Sequence, residues 1–94
     1  MASRKNLKKE INSFCMKVVF ECFTFLEYTP SLNQENTMEI MSDAINLRNK
    51  LIYMANHPKG KEWPGSVKEY YNQIREELYR QNVSLLKRLN GLSS

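Results

Sequence analysis

The chain is short of the residues that do chemistry. Its 94 residues include one histidine and two cysteines, with three glycines and three prolines. No His and Cys group falls at metal-ligand spacing, so neither a metal nor another cofactor is expected. A glycine-rich phosphate loop and a recognisable acid–base pair are both missing, which argues against an enzyme and leaves no small-molecule substrate evident. Zinc spacing, a helix-turn-helix glycine turn and an aromatic-bearing sheet are missing too, so no known nucleic-acid motif is present. Strand-period alternation and internal repeats do not occur.

Unbroken apolar runs are scarce as well. The longest greasy stretch, Phe14 to Tyr28, is interrupted by Lys17 and Glu21. A membrane span needs about 20 apolar residues in a row, so none is expected. Arg4, Lys5, Lys8 and Lys9 ahead of that stretch imitate the start of a signal peptide, but no small-residue cleavage site follows. Cys15 and Cys22 lie seven residues apart. On a helix that is about 10 Å along the axis. A disulfide needs Cα atoms within about 7 Å, so these two do not bridge. Unbridged cysteines in apolar surroundings suit a reducing compartment, and a cytoplasmic location is expected.

What is present is helical. The composition is 41% hydrophobic and 26% charged, with a net charge of +4, ordinary values for one globular domain spanning residues 1–94. A chain this short buries only about 60–65% of its unfolded surface, so its stability is modest unless it associates. Solubility alone accounts for the positive charge.

The stretch Phe14–Tyr28 organises the rest. It is apolar on more than one helical face and must be covered. Helix one is expected over 5–27, with Leu7, Ile11, Phe14, Cys15, Val18, Cys22, Phe25 and Leu26 recurring at helical spacing. Val19, Phe20 and Phe23 add a second stripe, and Pro30 stops the helix. Helix two is expected over 34–56, with Ser31 or Asn33 as its cap. Its main stripe reads Met38, Met41, Ala44, Ile45, Leu51, Ile52 and Ala55, and Ile40, Leu47 and Met54 form a thinner one. Two prolines and two glycines between Asn56 and Gly65 exclude regular structure there. Ser66 and Glu69 make a capping box opening helix three, expected over 66–90. Its core face is Val67, Tyr70, Tyr71, Ile74, Leu78, Leu85, Leu86 and Leu89, with Gly91 a C′ residue and Leu92 folding back. Three helices of similar length with short links predict an all-α antiparallel three-helix bundle, up-down-up.

The runs Asp43-Ala44-Ile45-Asn46-Leu47-Arg48-Asn49, Asn56-His57-Pro58, Val67-Lys68-Glu69-Tyr70-Tyr71 and Ile74-Arg75-Glu76-Glu77-Leu78 resemble a small all-helical family of uncharacterised proteins from gut and oral anaerobic bacteria. The resemblance covers nearly the whole chain. It implies a helical bundle of unassigned function, carries no catalytic motif, and transfers no site residue.

Several residues have both a structural and a functional reading. Arg48 interrupts helix two's apolar stripe, so it must snorkel or pair with a carboxylate, with Glu21, Glu76 and Glu77 as candidates; the alternative is a binding role. His57 reads as a helix-end residue, and Cys15 and Cys22 as inert buried thiols. Trp63 either seals the end of the bundle or anchors a partner. In an up-down-up bundle, Arg4, Lys5, Lys8, Lys9, Lys59, Lys61 and Lys68 gather at one end, either as a solvated face or as an anion contact. Helix one offers more apolar surface than two helices cover. The surplus, with Phe20, Phe23, Ile40, Leu47, Met54 and Trp63 as its candidate residues, predicts a homodimer or another protein partner. A non-enzymatic interaction protein is therefore expected first, and weak nucleic-acid or polyanion binding through the basic end second.

Overall fold

A computed structural model describes residues 4–28, 33–57 and 67–92 of the chain. They form α1 (Arg4–Tyr28), α2 (Gln34–Asn56) and α3 (Val67–Leu92), with no strand among the described residues. The expected helix boundaries are met within two residues. Pro30, Ser31, Lys59, Lys61, Trp63 and Ser66, the expected cap of α3, lie outside the described residues.

Three hydrogen bonds between residues distant in sequence fix the topology. Arg4 at the start of α1 donates to the Tyr71 hydroxyl near the start of α3, at 3.3 Å. That hydroxyl also donates to the Ala55 carbonyl at the end of α2. At the opposite end, the Asn33 side-chain amide donates to the Leu92 carbonyl, the last of α3, at 3.1 Å. Helices α1 and α3 therefore run parallel and α2 runs against both, which is the up-down-up order. The rod measures 50 × 19 × 18 Å.

The buried faces share one period. Leu7, Ile11, Ile40, Ala44, Ile74 and Leu78 are buried, and so are Val18, Cys22, Leu51, Ala55, Leu85 and Leu89, each eleven positions further on. Eleven residues in three turns lies close to the unstrained helical period, so the faces stay in register along the rod with little supercoiling. Burying each Leu, Ile or Val side chain stabilises the fold by about 1.5–3 kcal/mol.

The core falls into two clusters. One gathers Leu7, Ile11, Cys15, Leu51, Ala55, Tyr71, Ile74 and Leu78. The other gathers Val18, Val19, Cys22, Ile40, Ala44, Leu85 and Leu89. Leu47 packs against both. Asn82 lies between them on α3, buried, with its Nδ2 donating to the Leu78 carbonyl at 2.7 Å.

The apolar stripe of α2 is turned from its expected position. Thr37, Ile40, Ala44, Leu51 and Ala55 are buried, while Met38 and Ile45 are exposed. The reason is Thr37, which a count of apolar residues omits. Its hydroxyl donates to the Asn33 carbonyl at 2.9 Å, so a threonine enters the core with its polar group satisfied and carries Ile40 in with it. Asn33 does precede α2, but in the left-handed conformation, with φ 57° and no side-chain cap bond. Asparagine tolerates that region better than most residues, and its amide is used on α3 instead. At the far end of α3, Gly91 is no C′ residue. The helix continues through it to Leu92, which packs against the second cluster.

Candidate functional site

Two surfaces on the α1–α2 side of the rod carry the residues of interest. The first is apolar. Phe20 is 64% exposed, Phe23 54%, Met38 54% and Ile45 42%. The register of α1 on α2 is marked by one contact: Arg48 of α2 donates to the Asn12 side-chain oxygen of α1 at 2.6 Å. Moving away from that contact by helical turns brings Met16 and Phe23 of α1 beside Ile45, Met41 and Met38 of α2. Met16 and Met41 are half-buried against the second cluster.

This surface differs in part from the one expected. Phe20 and Phe23 belong to it. Ile40 does not, because it is 2% exposed and belongs to the core. Leu47 and Met54 are half-buried and pack inward against the core clusters. The turn of α2 that buries Ile40 brings Met38 and Ile45 to the surface in their place. Trp63 lies outside the described residues.

The second surface is a groove of about 530 Å³ lined by Arg4, Lys5, Lys8, Lys9, Asn12, Arg48 and Ile52. It unites Arg48 with four of the expected basic residues and no carboxylate. Lys68 is exposed at the start of α3 and does not line it. Lys59 and Lys61 lie outside the described residues. The expected pairing of Arg48 with a carboxylate does not occur among the described residues. Nε binds Asn12, and Nη1 binds the Asn49 side-chain oxygen at 3.0 Å. Two neutral amides thus hold the guanidinium in place and leave its charge uncompensated.

The arginines of α3 are arranged differently. Arg75 pairs with Glu10 at 3.0 Å, Arg80 with Glu77, and Arg88 with Asp43 at 2.8 Å. The three arginines of α3 each meet a carboxylate, whereas Arg4 and Arg48 of the α1–α2 groove meet none among the described residues. The first turn of α1 also carries no acidic residue, so these cations add to the positive pole of the helix dipole.

Glu10 forms a seam between α1 and α3, accepting from Arg75 and from the Tyr79 hydroxyl. Burial works to raise its pKa, but the two hydrogen bonds and the Arg75 charge outweigh it and hold the carboxyl below its ordinary value. The same contact pushes Tyr79 up, helped by burial. Phe14 packs edge-on against Tyr79 at 5.2 Å, so Phe14 belongs to this seam and not to the core.

Cys15 and Cys22 are free and buried, and burial raises both thiols. His57 ends α2: its Nδ1 donates to the Tyr53 carbonyl at 2.8 Å, and its ring stacks on Tyr53 at 4.1 Å. Among the described residues no group of acidic, His or Cys side chains is placed to hold a metal ion, and none of their helices is long and apolar enough to cross a membrane.

Sequence reading missed Asn12, Asn49 and Asn82. Neutral amides carry no periodic signal, although an antiparallel register of α1 on α2 brings positions 12 and 48 together. No family model, curated protein or solved structure matches the chain, so the site is read from its geometry.

Proposed function

We propose that this is a non-enzymatic interaction protein that binds a second protein chain through the exposed apolar surface of α1 and α2. The observation that carries this reading is the exposure of Phe20 and Phe23 on α1 and of Met38 and Ile45 on α2 in a 94-residue bundle. Large apolar side chains grouped on a small protein's surface normally mark an interface. A non-catalytic role is supported by the burial of both thiols and by the use of His57 Nδ1 at the end of α2. The free thiols also suit a reducing, cytoplasmic setting. Light scattering or sedimentation at micromolar concentration tests self-association. A concentration-dependent mass that Phe20→Ser and Phe23→Ser abolish supports the reading. A strict monomer rejects self-pairing, and the reading then falls unless a photo-crosslinker at Phe20 captures a specific host protein.

The groove supports a second reading, weak polyanion binding, because five cations and no carboxylate are among the described residues that line it. Titration with labelled DNA and RNA at rising salt decides it. Phosphate contacts weaken steeply with salt, and no binding at low salt ends this reading.

A further inference from the structure

The outer stripe of α1, which meets the core only at Met16, has an order of its own. Lys9, Ser13, Met16, Phe20, Phe23 and Glu27 follow in alternating steps of four and three. All are exposed except Met16, which is half-buried. This is the spacing of a coiled-coil seam. The inner face of the same helix repeats at eleven, so the two faces obey different periods and serve different contacts. The seam is cationic at one end, apolar in the middle and anionic at the other. It covers about 27 Å of helix, five turns.

A stripe with that order is complementary to itself when reversed. Placing two copies of α1 antiparallel sets Lys9 against Glu27 of the second copy, Ser13 against Phe23, and Met16 against Phe20. The twofold axis generates each pair a second time, as an isologous interface requires. Neither Lys9 nor Glu27 has an ion-pair partner among the described residues, so both charges are available across the interface. Met38 and Ile45 of α2 stand beside the seam and widen its apolar middle.

Resting on the interaction reading above, we propose that the second chain is another copy of this one. The dimer joins α1 to α1 antiparallel, with Lys9 and Glu27 setting direction and register. Charged positions flanking an apolar seam select orientation more than they add affinity. Other orientations lose the match: a parallel pairing sets Lys9 beside Lys9 and Glu27 beside Glu27.

Charge reversal tests the register. Lys9→Glu and Glu27→Lys each turn two attractions into two repulsions, and each variant alone should dimerise about tenfold or more weakly than the wild type at low salt. Mixing the two variants restores both pairs, so a heterodimer should form at near wild-type strength, read by sedimentation or by native mass spectrometry. Both positions are exposed on α1, and circular dichroism confirms that the variants fold. Heterodimer rescue supports the proposal. A wild-type dimer that Phe20→Ser abolishes but neither charge variant weakens overturns the register and leaves the interaction reading standing. A wild-type chain that stays monomeric overturns the self-pairing altogether.

Discussion

Leucine in place of Asn82 should stabilise the bundle by about 1–2 kcal/mol. Asn82 is 4% exposed, between the two apolar clusters. Its Nδ2 reaches the Leu78 carbonyl and lies 3.9 Å from the Cys15 sulfur. Its Oδ1 is buried with no hydrogen-bond partner. An orphaned buried acceptor costs about 1–3 kcal/mol, and the bond that Nδ2 makes returns about 0.5–1.5 kcal/mol. Leucine branches at the same carbon, removes the orphan, buries two methyl groups and gains a few tenths of a kcal/mol, roughly, in helix propensity. The Leu78 carbonyl keeps its place in the helical ladder. Urea denaturation provides the assay: the midpoint should rise while the slope stays constant. The thermal midpoint should rise by about 4–8 °C per kcal/mol in a domain of this size. Asn82→Asp should destabilise strongly, since it places a carboxylate in the same dry site. A neutral or destabilising Asn82→Leu, with the slope unchanged, would refute the reasoning and show that Oδ1 is satisfied in solution.

Glu10→Gln tests the α1–α3 seam. The folded carboxyl titrates below its unfolded value, so its contribution is present above the ordinary carboxylate range and is lost as pH falls through the folded pKa. The variant should be less stable at neutral pH, and the difference should shrink towards acid, as measured by urea midpoints across pH. The two buried thiols should resist a thiol-specific reagent in the native state and react at a rate that follows unfolding as urea rises; immediate labelling of either would contradict their burial. Ala44→Leu should cost about 1–3 kcal/mol by overpacking a fully buried position of α2, and an unchanged urea midpoint would show slack at that layer.

The residues that made the fold legible were the strongly apolar ones. Leu7, Ile11, Val18, Ile74, Leu78, Leu85 and Leu89 hold the core positions that their spacing implies, and the helix boundaries followed from proline, glycine and period. The errors arose where small or polar residues entered the core. Thr37 set the rotation of α2, so Ile40 went inside and Met38 and Ile45 came out. Asn33 spent its amide on α3, and Gly91 stayed helical because Leu92 had the second cluster to pack against. The cationic groove was legible in Arg4, Lys5, Lys8 and Lys9. The part played by Arg48 was not, because an arginine inside an apolar stripe suggests a carboxylate partner, whereas amides supply its acceptors.

The interrupted core also governs how the rod comes apart. Strong apolar packing fills both halves, and the belt between them holds an amide with an orphaned oxygen. Cooperativity crosses that belt chiefly through Leu47 and the continuous backbone of three helices. Fluctuations short of full unfolding should then be half-molecule events: amide exchange should sort into two blocks that divide near Cys15, Leu47 and Asn82, one staying closed while the other opens.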